Sequence, residues 1–141
     1  MIILDTNVIS ALMRAPPDAA VIEWLDRQPA ESIWTTAITV FEIRFGIELL
    51  ANSRRRATLE ALFEQSLVED FQGRVLPFDG AAAHEAATIA AQRRRDGRPV
   101  DLRDTQIAGI AVTRRAAVAT RNRRHFQGLD VDVFDPWHSA R

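Results

Sequence analysis

The sequence predicts an α/β fold in three layers (α/β/α), with a mostly parallel central sheet covered by helices on both faces. The first observation is that short apolar runs alternate with longer stretches whose apolar residues recur at helical spacing. The second is size, since 141 residues is a common length for one domain. The third is a hydrophobic content of 47%, enough to bury a core without disulfides. We therefore expect one domain over residues 1–141.

The first half of the chain is predicted to contain two strands and three helices. The strands are short apolar or β-branched runs, and the helices begin at a capping residue and end before a proline. The predicted strands are residues 2–5 and 32–36. The predicted helices run from about Val8 to Met13, from a cap at Asp18 to a stop at Pro29, and from Thr39 to about Ala51.

Glycines and aspartates mark the boundaries of the elements in the second half. A helix with regularly spaced apolar residues is predicted over residues 54–71, with a stop at Gly73, and an alanine-rich helix over residues 80–95 is predicted to end at Gly97. Asp101 is expected to cap the next helix. The remaining strands are predicted over residues 74–78, 117–120 and 131–134.

The basic residues are unevenly distributed along the chain. All 18 are arginine, and the net charge is −1. Ten of these arginines fall between Ala86 and His125 against three aspartates, so this segment alone carries a net charge of +7. A phosphate backbone could be attracted there. For the run Arg93–Arg95 the simpler interpretation is a solvated helix end, where cations favour the helix dipole.

The composition also limits the kinds of site and the location. No cysteine is present, which excludes disulfides and thiolate metal sites, so any metal must use oxygen or histidine ligands. The apolar start is interrupted at Asp5 and has no basic segment before it, and no apolar stretch reaches membrane-spanning length. We expect a cytoplasmic protein.

Four polar residues are predicted to meet at one edge of the sheet. Ligands bind beyond the carboxyl ends of parallel strands, so side chains at strand ends and at the helix starts that follow are candidates for a site. Asp5 ends the first strand, Glu42 follows the second, Asp104 opens the helix before the fourth, and Asn122 comes directly after the fourth. The fold is expected to bring these four together.

Each candidate also has a purely structural interpretation. Glu42 could complete a capping box that begins at Thr39. Asp104 could stabilise the start of its helix, as Asp101 is expected to do. Asp5 could form an Asx turn with the backbone near Asn7, although a carboxylate after an apolar strand needs hydrogen bonds, a cation or water. Asn122 could be an ordinary turn residue.

Carboxylates that converge on one pocket need a cation. A close pair repels by roughly 4 kcal/mol at an effective dielectric near 20. Oxygen ligands select Mg²⁺, with Mn²⁺ possible, and such an ion can activate water for attack on a phosphodiester. The pattern therefore favours metal-dependent phosphodiester hydrolysis.

Four segments, in order along the chain, resemble the PIN-domain toxins of the VapC type, and the C-terminal segment resembles the FitB branch. These segments are Leu4–Ser10, Thr36–Gly46, Asp104–Ala108 and Val118–Asn122, followed by Val133–His138. The resemblance implies a PIN-like domain and the toxin component of a type II toxin-antitoxin system, with magnesium-dependent endoribonuclease activity. It also implies a homodimer and a cognate antitoxin encoded by an adjacent gene, with operator DNA bound only through the antitoxin complex.

The resemblance assigns roles to individual residues. Asp5, Glu42 and Asp104 correspond to the acidic metal ligands, and we expect Asn122 to join them in catalysis. The expected substrate-binding residues are Thr6, Arg44, Thr120 and Arg121. Family members often carry a further aspartate where Asn122 stands, or three positions later at His125. Because this chain has neither, the number of metal ions, one or two, stays open.

Other functions are less compatible with the sequence. An aspartyl-phosphate phosphatase would need a second aspartate where Asn7 stands, and a receiver domain would need a lysine, which the chain lacks. No glycine-rich phosphate loop follows Asp5. The alternative that stays open is a catalytically degenerate PIN domain that binds RNA or a protein partner.

Overall fold

The computed structural model describes residues 1–138. This part of the chain contains one five-stranded sheet whose strand pairs are all parallel, in the spatial order β3-β2-β1-β4-β5. The strands are β1 (Ile2–Leu4), β2 (Ile33–Thr36), β3 (Val75–Leu76), β4 (Ala117–Ala119) and β5 (Val133–Phe134). The predicted parallel α/β architecture is confirmed.

Six α-helices connect these strands within the described residues. They are α1 (Thr6–Leu12), α2 (Ala19–Asp26), α3 (Ala37–Glu48), α4 (Arg54–Glu69), α5 (Gly80–Arg95) and α6 (Leu102–Arg114). Short 3₁₀ turns cover Ala30–Ser32 and Arg123–Phe126. None of these helices is long and apolar enough to cross a membrane.

Two hydrophobic clusters cover the two faces of the sheet. Side chains alternate between faces along a strand, so Ile3 packs with α5 and α6 while its neighbour Leu4 packs with α1 to α4. Val118 and Ala119 of β4 divide between the faces in the same way. Helices on both faces complete the predicted three layers.

Several predicted boundaries are corrected by the caps. The first helix begins at Thr6 rather than near Val8, because Asp5 is already its N-cap. The third begins at Ala37 rather than Thr39, because Thr36 caps it and accepts a hydrogen bond from the Thr39 amide at 3.1 Å. Residues 74–78 and 131–134 form strands of only two residues each, at the outer positions of the sheet.

The predicted caps at Asp18 and Asp101 and the stop at Gly97 are confirmed. Asp18 and Asp101 each accept a backbone hydrogen bond from the helix that follows. Gly97, with φ of 71°, follows the last turn of α5 and adopts the left-handed conformation that glycine favours.

The strand order creates a topological switch point between β1 and β4. From β1 the chain builds outward to β2 and β3, then returns past β1 to β4 and β5. The connections leave β1 and β4 in opposite directions, which opens a crevice at their carboxyl ends. Asp5 follows β1 and Thr120 follows β4 at this crevice.

Candidate active site

Asp5 is a buried carboxylate at the switch point, with only 2% of its surface exposed. Its Oδ1 accepts the Thr6 amide at 2.8 Å, and its Oδ2 accepts the Thr120 hydroxyl at 2.8 Å. The Asn7 side-chain amide adds a longer contact to Oδ2 at 3.3 Å. Asp5 therefore does cap a helix, but most of its hydrogen bonding comes from side chains that fix its position.

Thr120 and Asn7 link the two strands that flank the crevice. The buried Thr120 hydroxyl accepts hydrogen bonds from the Asn7 amide at 3.1 Å and from the Asn122 backbone at 3.0 Å. The Asn7 Oδ1 accepts the Arg121 backbone N–H at 3.1 Å. These bonds connect the end of β1 to the end of β4 across the carboxylate of Asp5.

Glu42 lies in the second turn of α3 and reaches toward α1. Its Oε1 accepts a hydrogen bond from the Thr6 hydroxyl at 2.7 Å. The same Thr6 hydroxyl lies 3.1 Å from the hydroxyl of buried Thr39. Its Oε2 lies 3.5 Å from the guanidinium of Arg103. The capping-box interpretation is wrong, because Thr36 is the N-cap and Glu42 turns to another helix.

Asp104 lies in the first turn of α6 and faces the 3₁₀ turn after β4. Its backbone N–H donates to the Asp101 cap at 3.1 Å. Its Oδ2 lies 2.6 Å from Nδ1 of half-buried His125. The side chain of Asp104 therefore points away from its own helix start.

The three carboxylates influence one another. Burial raises the pKa of Asp5, and the charge of Glu42 adds to this rise, while hydrogen bonds from Thr120 and Thr6 oppose it. Burial also raises the pKa of Asp104 to about 6, opposed by His125 and reinforced by Asp5 and Glu42. The cluster therefore concentrates negative charge in a partly dehydrated crevice.

This charge is partly neutralised by the guanidinium of Arg103. Arg103 approaches Glu42 and His125 approaches Asp104. In the conformation described for residues 1–138, no three acidic or histidine side chains are arranged to enclose a metal ion. The donor set is nevertheless one of hard carboxylate oxygens under mutual repulsion, which is the chemistry that Mg²⁺ and Mn²⁺ favour.

Comparison with known proteins assigns this architecture to a family. The family model of the PIN domain matches residues 2–131. The chain belongs to the PIN-domain family. Among its relatives within the family, VapC ribonuclease Y4jK of Sinorhizobium fredii is 40% identical over 99% of this chain and all of its own length. Toxin FitB of Neisseria gonorrhoeae is 41% identical and covers 98% of this chain and 99% of its own.

Solved structures agree with the PIN fold. The FitAcB structure from Neisseria gonorrhoeae superposes with a TM-score of 0.89 at 41% identity, covering 98% of this chain and 99% of that chain. DNA-bound VapBC from Salmonella typhimurium has a TM-score of 0.79 at 27% identity, with 96% and 97% covered. The predicted resemblance to VapC and FitB proteins is confirmed.

Within this PIN domain, some predicted site residues lie elsewhere. Arg44 is two residues from Glu42 on the same helix, so it faces another direction, and it pairs with Glu48 beside α4. The Arg121 guanidinium covers the Trp137 ring at 3.8 Å. The Trp137 indole N–H in turn donates to Asp18 at 2.9 Å. The structure therefore brings neither the Arg44 nor the Arg121 guanidinium to the carboxylates.

The other predicted residues lie close to the crevice but differ in exposure. Thr6 contacts Glu42 directly, and buried Thr120 contacts Asp5. Because Thr120 is buried, its hydroxyl positions Asp5 rather than facing solvent. Asn122 is exposed, and its backbone rather than its side chain makes the hydrogen bond to Thr120.

Sequence reasoning missed three residues of this PIN-domain site. His125 and Arg103 had no assigned role, and Asn7 was considered only as a turn partner of Asp5. Contacts at separations of 61 residues (Arg103 to Glu42) and 113 residues (Asn7 to Thr120) are not visible in local patterns. A usable signal was the position of His125, where the family resemblance led us to expect an acid.

Proposed function

We propose that the chain is a magnesium-dependent endoribonuclease, the toxin component of a type II toxin-antitoxin system. The observation that carries this proposal is the placement of three carboxylates around the switch point, where Thr6 donates to both Asp5 and Glu42 and His125 contacts Asp104. Support comes from relatives named as a ribonuclease and a toxin, which match nearly the whole chain. Another relative, from Shigella flexneri, is named a tRNA(fMet)-specific endonuclease and is 31% identical over 88% of this chain. Names of this kind favour an active enzyme over a degenerate binding module.

Asp5, Glu42 and Asp104 would hold the Mg²⁺ ion. When bound, the ion supplies an activated water and neutralises charge on the phosphodiester. Thr120 and Asn7 keep the Asp5 carboxylate directed into the crevice, and Thr6 does the same for Glu42. The His125 ring contacts Asp104, with Nδ1 of His125 lying 2.6 Å from Oδ2 of Asp104. These side chains fix the acidic groups before substrate arrives, which lowers the cost of reorganisation.

The chemistry of the product ends tests the mechanism. Attack by water in line with the leaving group gives a 5′-phosphate and a 3′-hydroxyl, and it does not need the 2′-hydroxyl. Total cellular RNA incubated with the purified chain and magnesium should acquire such ends, and chelator or Asp5→Asn should prevent this. Ends that carry 2′,3′-cyclic phosphate and still form in chelator would overturn the mechanism.

A protein partner is proposed to bind beside Glu42. A groove of about 330 Å³ runs between α1, α3 and α4, with Thr6, Glu42 and Arg103 at one end and apolar Ile47 and Leu59 along it. A segment of an antitoxin encoded by an adjacent gene fits this groove, and a guanidinium at its end would satisfy the carboxylates. The solved FitAcB and DNA-bound VapBC structures support a complex of this kind. In this proposal operator DNA is bound only through the antitoxin complex.

Growth assays test the partner proposal. Expression of the chain alone should slow bacterial growth, and co-expression with the adjacent reading frame should restore it. If the purified chain cleaves its RNA target but expression is harmless, the toxin assignment is wrong while the nuclease assignment stands.

The chain is also proposed to form a homodimer through α3. Phe41, Phe45 and Leu49 are 55%, 45% and 71% exposed and lie four residues apart on one helix face. The rings of Phe41 and Phe45 stack with centroids 5.9 Å apart, and Arg103 lies 5.6 Å from each. Light scattering should give a dimer mass that Phe45→Glu lowers to a monomer. A wild-type monomer at micromolar concentration would contradict this.

A further inference from the structure

A second groove opens on the His125 side of Asp104. Its volume is about 320 Å³, and it lies between the end of α5, the start of α6 and the 3₁₀ turn Arg123–Phe126. Three arginines line it, Arg93, Arg98 and Arg124, and the carboxylate of Asp101 lies at its edge. Asp104 and His125 form the side that it shares with the candidate active site. A ligand in this groove would therefore touch residues of the acidic cluster.

Arg93 is not part of a solvated helix end. Only 6% of its surface is exposed, and its guanidinium donates a hydrogen bond to the backbone carbonyl of His125. Arg94 and Arg95, its neighbours on the same turn, are exposed as predicted. Packing of α5 against the 3₁₀ turn thus selects one arginine of the run and turns it inward.

The arginines of this groove are not closely paired with Asp101 or Asp104, the two carboxylates that line it. Among residues 1–138, none of the three lining arginines forms an ion pair within 4.0 Å, and the Arg98 guanidinium donates a hydrogen bond to the Arg124 carbonyl at 3.4 Å. Burial, followed by the charge of neighbouring Arg98, lowers the pKa of Arg93, while Asp104 opposes this. Bringing like charges together around a buried guanidinium is costly unless an anion joins them.

We infer that Arg93, Arg98 and Arg124 form a phosphate-binding subsite, which holds a backbone phosphate of RNA next to the phosphodiester that is cleaved. The inference rests on the proposed ribonuclease function and names the path of its substrate. Guanidinium groups match phosphate geometry with paired N–H donors. A groove that combines these donors with Asp104 suits a polyanion strand, whose successive phosphates can reach the arginines and the acidic cluster at the same time.

The subsite also explains why His125 is held on two sides. Its carbonyl accepts from Arg93, and its ring approaches Asp104. His125 thus connects Arg93 to Asp104, so a phosphate bound to Arg93 lies close to a candidate metal ligand. We therefore expect the RNA to bind in a fixed position, with the phosphate of one nucleotide held by the arginines and the neighbouring phosphodiester placed at the acidic cluster.

The test compares charge removal inside and outside the groove. Arg98→Gln and Arg124→Gln change exposed side chains that line it, and Arg94→Gln and Arg95→Gln make the same change on exposed side chains that do not. Arg93→Lys keeps the charge of the buried residue and serves as a further variant. Binding of fluorescent bulk tRNA is measured with calcium in place of magnesium, over a range of salt concentrations, beside melting curves of every variant.

Loss of one phosphate contact has a specific signature. Arg98→Gln and Arg124→Gln should each weaken tRNA binding by about tenfold at low salt. Each should also reduce the slope of log affinity against log salt by about 0.7 to 0.9. Arg94→Gln and Arg95→Gln should leave the affinity and the slope near the wild-type values. All four should melt at the wild-type temperature.

Two results would overturn the subsite. One is equal weakening by the groove variants and the control variants, which would indicate a diffuse electrostatic attraction. The other is unchanged tRNA binding with weakened binding to the antitoxin, which would make the groove a protein contact. Magnesium-dependent cleavage by the wild type is measured alongside, so failure of the subsite with cleavage intact is distinguishable from failure of the ribonuclease proposal.

Discussion

The hydroxyl of Thr120 is fully buried and serves three neighbours at once. It donates to Asp5 and accepts from the Asn7 side chain and the Asn122 backbone. Thr120→Val keeps the shape but removes all three of these hydrogen bonds from a buried position, so unfolding free energy should fall by at least about 1–3 kcal/mol. Cleavage should fall by roughly 10–100-fold, as when an outer partner of a metal ligand is removed.

The matched control for this prediction is Thr120→Ser, which retains the hydroxyl. It should recover most of the activity and most of the stability. Thermal melts and the magnesium concentration for half-maximal cleavage read out both effects. Equal activity of the valine and serine variants would show that the hydroxyl does not position Asp5.

Asn122 provides a second prediction at this scale, because its exposed amide stands where the family resemblance led us to expect an acid. If its side chain lines the pocket, Asn122→Asp adds negative charge beside the cluster. The variant should need less magnesium for half-maximal cleavage, and it should be less stable in chelator because the carboxylates repel. Identical magnesium dependence of the variant and the wild type would place Asn122 outside the reach of the metal.

Some of these residue roles could be predicted from the sequence and others could not. Asp5 was predictable because a carboxylate directly after an apolar strand requires compensation. His125 was not, because its role depends on the way the 3₁₀ turn packs against Asp104. Arg93 looked like its two neighbours in the run, and only the packing of α5 separates them.

At the scale of the elements, α3 shows why helix starts are difficult to predict. Thr36 and Thr39 both offer hydroxyl caps, and the Thr39-to-Glu42 spacing is typical of a capping box. The helix uses Thr36 instead, so Glu42 moves into the second turn and faces Thr6. The hydrophobic pattern predicted that a helix exists here, but the contact with α1 determines what Glu42 does.

The close approach of α5 and α6 at Gly109 gives a prediction, for which Gly46 in α3 serves as the contrast. A Cβ at Gly109 would lie 2.5 Å from the Ala82 carbonyl and 2.9 Å from the Ala86 methyl. Gly109→Ala should therefore destabilise the fold by about 1–3 kcal/mol or more, because the helices must move apart. Gly46→Ala in α3 meets nothing within 4 Å and should stabilise by roughly 0.5–1 kcal/mol.

Chemical denaturation with urea measures both glycine variants under one set of conditions. Opposite signs of the change in unfolding free energy are expected. A neutral Gly109→Ala would mean that α5 and α6 pack less tightly than the structure indicates.

At the scale of the whole molecule, the acidic cluster should make the metal-free protein less stable at neutral pH. The pKa of Asp104 is raised by burial to about 6, with His125 opposing and Asp5, Asp101 and Glu42 reinforcing. A carboxyl with a raised pKa binds its proton more tightly in the folded state. Its stabilising contribution is therefore complete below the unfolded value of 3.8 and is lost as pH rises through about 6.

Melting curves in chelator test this pH dependence. The melting temperature should rise as pH falls from about 7 to about 5. Asp104→Asn should flatten this dependence and melt higher than the wild type at neutral pH. A wild-type melting temperature that falls over the same range would contradict the account of the cluster.

The architecture was more predictable than the site it carries. Alternation of short apolar runs and amphipathic helices was sufficient for a parallel sheet. The position of Asp5 at a strand end, and of Glu42 and Asp104 near helix starts, was sufficient to place them at one edge. The spatial order β3-β2-β1-β4-β5, which puts β1 beside β4 and creates the crevice, follows from long-range pairing. The supporting contacts of the carboxylates depend on that order.

The most direct test of the central claim is a magnesium titration of RNA cleavage by two aspartate variants from the same turn of α6. Asp101→Asn changes the helix cap, where asparagine is an equally good residue, so activity should stay close to wild type. Asp104→Asn should lower cleavage by about 100-fold or more, since even outer partners of a metal ligand are worth 10–100-fold. Wild-type cleavage by Asp104→Asn, or equal losses in the two variants, would contradict a metal site built on Asp5, Glu42 and Asp104.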